Sequence, residues 1–150
     1  MKIIASNKRA SFDYHLTEKF EAGIVLKGSE VKSIRTNGMS INQSFVHAED
    51  GQLFLKNAYI KPYETSSVFA QPERRNRKLL LHKKQILRLQ KSVQADSLSI
   101  VPTKVYFLNG LVKVEIALAK GKKNYDKRQS LADKSAKREV ERAVKKAFSN

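Results

Sequence analysis

The side chains with chemistry to offer in this sequence are mostly cationic. Lys8-Arg9 forms one basic cluster, Arg74, Arg75, Arg77, Lys78, Lys83 and Lys84 a second, and Lys120, Lys122 and Lys123 a third. A basic cluster either neutralises phosphates or simply keeps a surface solvated. Here 30 Lys/Arg stand against 14 Asp/Glu, a formal net charge of +16 with no compensating acidic block, and that balance favours phosphate. Tyr59, Tyr63, Phe69 and Tyr125 are interspersed and could stack on bases. Tyr14 shares a phase with Phe12 and Leu16, which assigns it to the core. Two acids, Glu21 and Glu30, lie in this basic setting. Each could orient neighbouring Arg and Lys, accept from base or ribose donors, or be an ordinary surface acid, and the pattern leaves these readings open.

Other chemistries find little support. The sequence has no Cys, so disulfides, thiolate metal sites and cysteine nucleophiles are excluded. His15, His47 and His82 have no ligand spacing, and hydrolase, zinc-protease, P-loop and dinucleotide motifs are missing. We therefore expect no catalytic residue, no metal and no cofactor. Asn42-Gln43-Ser44 is formally a glycosylation sequon and is read as chance. No apolar run nears the ~20 residues of a membrane helix. The expectation is a soluble, monomeric, cytoplasmic protein that binds a polyanion. Composition alone leaves open a structural binder of ribosomal RNA or an RNA-processing enzyme.

The elements that must position these residues are mainly β. Phe12, Tyr14, Leu16, Phe20, Ala22, Ile24 and Leu26 alternate with polar residues, predicting a long strand broken at Glu18, with Gly23 a bend point. Ser29–Arg35 predicts a short helix stopped near Gly38. Residues 40–47 and 52–60 predict two strands around an Asp50-Gly51 turn, and 83–94 a helix with Ile86, Leu89 and Val93 on one stripe. In 98–119, Asn109-Gly110 predicts a two-residue hairpin turn. It would pair Phe107 with Val112 and Val105 with Val114 on one face, and Lys104 with Glu115 and Tyr106 with Lys113 on the other. About six strands without βαβ alternation predict a mainly β domain, a small antiparallel barrel of the oligonucleotide-binding (OB) fold with two or three short helices, over residues 1–120.

Residues 121–150 differ: ten Lys/Arg and four Asp/Glu give net +6 in a fifth of the length. Ala136, Val140, Ala143 and Ala147 share a narrow stripe, and Lys134, Arg138, Arg142, Lys145 and Lys146 the opposite side. Such a helix is marginal alone, so a basic tail that folds on a polyanion is expected, against the plainer reading of a basic helix docked on the barrel.

Several segments together resemble one family. Asn7-Lys8-Arg9-Ala10, Phe20-Glu21-Ala22-Gly23-Ile24, Gly28-Ser29-Glu30-Val31-Lys32-Ser33-Ile34-Arg35, Arg77-Lys78-Leu79-Leu80-Leu81, Ala119-Lys120-Gly121-Lys122-Lys123 and Asp126-Lys127-Arg128 are similar, in order, to the SsrA-binding proteins (small protein B). The resemblance implies an OB barrel with a tail disordered when free and helical on the ribosome. It implies binding to the tRNA-like domain of transfer-messenger RNA, entry of that RNA with elongation factor Tu and GTP into stalled bacterial ribosomes, and a tail that probes the empty message channel and decoding centre of the 16S rRNA. It puts RNA contacts on Asn7, Lys8, Arg9, Glu21, Glu30, Lys32 and Arg35, with Leu81 in the matching apolar segment. It puts the ribosomal role on Gly121, Lys122, Lys123, Asp126, Lys127 and Arg128; Arg138 and Arg142 on the tail's basic side join them. Tyr125 stands where the family often has His, which keeps stacking and loses an imidazolium contact. The tail also lacks the Trp of some members, so Val140, Val144 and Phe148 must supply any apolar anchor.

Overall fold

The computed structural model describes residues 1–63, 72–122, Arg128, Lys137 and Arg138. Within them the chain runs β1 (Lys2–Ser6), α1 (Ala10–Asp13), β2 (Tyr14–Ile24), α2 (Gly28–Asn37), β3 (Phe45–Glu49), β4 (Gln52–Lys56), β5 (Arg77–Leu80), α3 (Lys83–Asp96), β6 (Ser99–Leu108) and β7 (Leu111–Gly121). All strand pairings are antiparallel. Six strands close a ring in the order β6-β3-β4-β5-β2-β7, because β7 also pairs back with β6; β1 adds to the outer edge of β6. This is the small closed barrel that the period-two segments predict, with one strand more.

The β6–β7 hairpin has the expected register: Phe107 faces Val112, Val105 faces Val114, Tyr106 faces Lys113 and Lys104 faces Glu115. Its turn takes the left-handed backbone that Asn and Gly tolerate, with φ of 52° at Asn109 and 78° at Gly110. Val105, Val114 and Ile116 are fully buried with Leu53, Leu55 and Leu79 from the opposite wall, and Leu89 plugs α3 into the same core. Truncating so complete a plug typically costs about 2–5 kcal/mol.

β2 keeps burial at its even positions, and its interruption at Glu18 is a bulge: the register against β7 shifts between Leu16 and Lys19, so Phe20, Ala22 and Ile24 join the main core while Tyr14 and Leu16 pack in a separate cluster with Ala10, Val101 and Ala119. The strand begins two residues later than predicted because Phe12 belongs to α1. At Gly23, β2 faces both Lys113 on β7 and Leu80 on β5. A Cβ there would lie 3.3 Å from the Leu80 Cβ, so the closeness of the crossing, more than bending, explains the missing side chain. The strands predicted over 40–47 and 52–60 are shorter: only a single Ser40–Tyr59 bridge extends them. β1 and β5 were not anticipated. α2 runs to Asn37 and ends as expected, with the Gly38 N–H donating to the Ile34 carbonyl at 2.9 Å.

The expected division at 120/121 meets a continuous element. β7 continues through Gly121, and Lys122 is tied back to α1 by its N–H to the Asp13 carbonyl (2.9 Å) and its Nζ to the Ser11 carbonyl (2.8 Å). Strand pairing and these bonds thus reach slightly beyond the composition break.

Candidate nucleic-acid interface

The two acids singled out in the sequence have opposite fates. Glu30 is 4% exposed, at the start of α2. Its Oε1 accepts the Lys27 N–H at 2.9 Å, closing the first helical turn, and also accepts the Arg75 guanidinium. Its Oε2 accepts Arg77 Nε at 2.7 Å. Arg77 is fully buried and spends its remaining donors on the Ala58, Arg75 and Glu73 carbonyls at 2.9, 3.1 and 3.2 Å. Burial pushes the Glu30 carboxyl up, but the bonds from Arg75, Lys27 and Arg77 outweigh it and hold the group below its ordinary value. The resemblance puts an RNA contact on Glu30; here the carboxylate faces inward with both oxygens taken by Lys27, Arg75 and Arg77. Arg77, read above as part of a phosphate-binding cluster, is an interior residue for the same reason: it holds together the loop before β5 and the end of β4.

Around this node the outward residues are cationic. Lys32 and Arg35 are exposed on α2, with Lys32 Nζ 6.0 Å from the Tyr63 ring centre. Arg74 lies over Tyr59 at 5.5 Å and donates to the Asn57 carbonyl at 3.0 Å. The alternation of basic and aromatic residues is thus built from α2, residues 57–63 and residues 74–75, segments far apart in sequence.

Glu21 is exposed on the outer face of β2, opposite Glu115 of β7. Its Oε2 accepts the Tyr106 hydroxyl. Tyr106 is only 4% exposed although its phase points it out of the barrel, because β1 lies alongside with Ile3 opposite it. Burial, then the bond to Glu21 and the nearby charges of Glu21 and Glu115, push the phenol's pKa up, so it remains a donor. Lys104 Nζ lies 5.8 Å from the same ring. The result is a wall of Glu21, Tyr106, Lys104 and Lys113 that offers acceptors and cations side by side. Tyr106 was absent from the sequence-predicted site; its outward phase in the hairpin was the available signal.

The first and third basic clusters converge. Tyr14 and His15 pair with Gly121 and Lys120 across β2–β7, and Lys122 is bonded to α1, so Lys120–Lys122 sit beside the segment after Lys8-Arg9. Asn7 fixes that segment: its N–H donates to the Thr103 carbonyl at 2.8 Å and its Nδ2 to the Pro102 carbonyl at 3.1 Å. These carbonyls lie where the β6–β7 register slips between Pro102 and Lys104, so Asn7 is bound to a strand irregularity. Arg9 is exposed, 5.3 Å from the Phe12 ring and 3.4 Å from Asp13. The second cluster does not join this surface. In the apolar segment, Leu81 packs against the core and it is Leu80 that is exposed, at 51%. Among the tail residues, Gly121 and Lys122 are placed as above, and Arg128 and Arg138 are helical and exposed. Lys123, Tyr125, Asp126, Lys127 and Arg142 lie outside the described residues, as does the whole apolar stripe from Ala136 to Phe148.

Among the described residues no group of three His, Asp or Glu is placed to hold a metal ion, and no helix is long and apolar enough to cross a membrane. A closed antiparallel barrel with cationic and aromatic groups around its wall is a basic barrel of the oligonucleotide-binding kind. Sequence comparison is more specific: the model of the SmpB protein family matches residues 4–146, and the chain belongs to that family. It is 55% identical to the SsrA-binding protein of Shouchella clausii over 144 residues, covering 96% of this chain and 92% of that one. It is 53% identical to that of a Sulfurihydrogenibium species, covering 96% and 95%. A solved chain described under "tmRNA-SmpB: a journey to the center of the bacterial ribosome" superposes with a TM-score of 0.66 at 45% identity, covering 84% of this chain and 92% of that one.

Proposed function

We propose that this protein binds the tRNA-like domain of transfer-messenger RNA and carries it to stalled bacterial ribosomes for trans-translation. The observation that carries the reading is the similarity, at 45% identity across 84% of the chain, to a solved protein described with transfer-messenger RNA and the ribosome. The barrel recognises a folded RNA by its shape, phosphates and splayed loop bases. Asn7, Lys8, Arg9, Glu21, Lys32 and Arg35 form the RNA surface, with Glu30 as the residue that positions it. Residues from Gly121 onward serve the ribosome, entering the message channel only where message phosphates are absent. The RNA arrives with elongation factor Tu and GTP. The protein is a cytoplasmic monomer and works by binding, without catalysis.

Affinity capture of the full chain from bacterial cells tests this. One abundant small stable RNA is expected as the main co-purifying species. Recovery of ribosomal RNA alone, stoichiometric in all ribosomes, would indicate a structural ribosomal protein instead, and sustained turnover of RNA by the pure protein an enzyme. Truncation after Lys122, which spares β7 and its ties to α1, is expected to retain RNA binding and abolish rescue of stalled ribosomes. Loss of most RNA affinity on truncation would contradict the division of labour.

A further inference from the structure

A groove of about 1570 Å³ opens beside the Lys8-Arg9 pair and runs on to β3 and the end of α3, which none of the contacts above uses. It exists because β6 changes neighbours. β1 covers the edge of β6 from Lys104 to Phe107, β3 touches it at Ile100, and among the described residues no strand lies between. Asn7 satisfies the Pro102 and Thr103 carbonyls there, so the gap needs no strand to fill it. The groove is larger than the roughly 300–1,000 Å³ of an ordinary small-molecule pocket, which suits a polymer.

Its lining combines three chemistries. Ile100 and Val101 are buried apolar residues, and Phe45, 46% exposed, lines the groove with them. Gln90 and Gln94, from the last turns of α3, bring primary amides that both donate and accept, and neither is used in a hydrogen bond among the described residues. Lys8 and Arg9 stand at the margin; the Arg9 ion pair with Asp13 is exposed and thus weak. An apolar slot with an accessible ring matches the π-face of a base, amides match the mixed donors and acceptors of its edge, and the cations match its phosphate.

We propose that this groove takes an unstacked nucleobase of a single-stranded RNA segment, with Phe45 stacking on it, Gln90 and Gln94 meeting its edge, and Lys8 and Arg9 neutralising the adjoining phosphate. The inference rests on the reading of the protein as an RNA binder and adds a single-strand subsite to it.

The test uses the full chain and a uridine oligonucleotide carrying one 2-aminopurine, beside an oligonucleotide of equal length whose residues are all abasic. Binding is expected to quench the 2-aminopurine and to favour the base-bearing strand. Phe45→Ala should weaken the base-bearing strand about tenfold and leave the abasic strand unchanged. Phe45→Trp should retain binding, which guards against a folding artefact at position 45. Gln90→Ala with Gln94→Ala should weaken it severalfold. Equal affinity for both strands, an equal loss on both, or no quenching would overturn the proposal. So would a Phe45-dependent acidic peptide that binds where the oligonucleotide does not. Phe45→Ala should leave binding of the folded tRNA-like RNA unchanged. Failure of the unaltered chain to bind that RNA would sink the proposed function while the groove result stood.

Discussion

Glu21 and Glu30 look alike in the sequence: each is a lone acid followed by a small or branched apolar residue in a strongly basic chain. In the structure one is a solvent-facing acceptor and the other the centre of a buried ion cluster. The difference lies in their partners. Glu21 meets a single neutral donor, the Tyr106 hydroxyl, at a sheet surface. Glu30 meets two guanidiniums that arrive 45 and 47 residues later. A buried charge is tolerated only when its lone pairs are filled, and here they are. An acid in a basic protein can therefore serve binding directly or serve it by holding cations in place, and the residue type alone does not distinguish the two.

Four measurements would break or sharpen that contrast. Glu30→Ala strands the Arg77 guanidinium in the core, and denaturant unfolding should show a loss of about 3–5 kcal/mol; Glu21→Ala, at a surface, should cost less than about 1 kcal/mol. Equal losses would erase the distinction. The acid limb comes next. The carboxyl of Glu30 titrates lower when folded than its ordinary value of 4.5. Its contribution is fully present above that ordinary value and is lost as pH falls through the lowered folded one. Between those two values the unaltered protein should lose stability more steeply than Glu30→Gln, and parallel curves would show that Glu30 is not the group responsible. Third, Glu21→Ala should weaken RNA binding about tenfold although it raises the net charge; this is the size of effect expected from one specific charged hydrogen bond. Tighter binding would show plain electrostatics in control. Smallest, Tyr106→Phe frees the Glu21 carboxylate without removing it, and affinity should fall a few-fold, about what the loss of one orienting hydrogen bond gives. An effect as large as that of Glu21→Ala would make the tyrosine itself the contact.

Local signals were legible where the physics is local. The β6–β7 register followed from two turn residues and a match of apolar with apolar and charge with charge, and β2 followed from simple alternation. β1 escaped because Lys2–Ser6 carries no alternation; it is fixed by its pairing to a strand about a hundred residues away. β5 escaped because Arg77 and Lys78 read as a charge run, and only Glu30, distant in sequence, turns Arg77 into a core residue. The same distance hides the meeting of Lys8-Arg9 with Lys120–Lys122. Leu80 and Leu81 could not be told apart by pattern, since in a run of three leucines the inward phase is set by β5's partners, β2 and β4.

The topology also has a consequence in time. β7 is the strand that bonds β2 on one edge and β6 on the other, and among the described strands it is the last to be made. During synthesis the ring therefore stays open until residue 121 has been added. A nascent chain interrupted before that point exposes the unsatisfied amides of two long strands, a template for aggregation and a ready target for proteolysis. Closure of this ring thus reports that translation has passed residue 121.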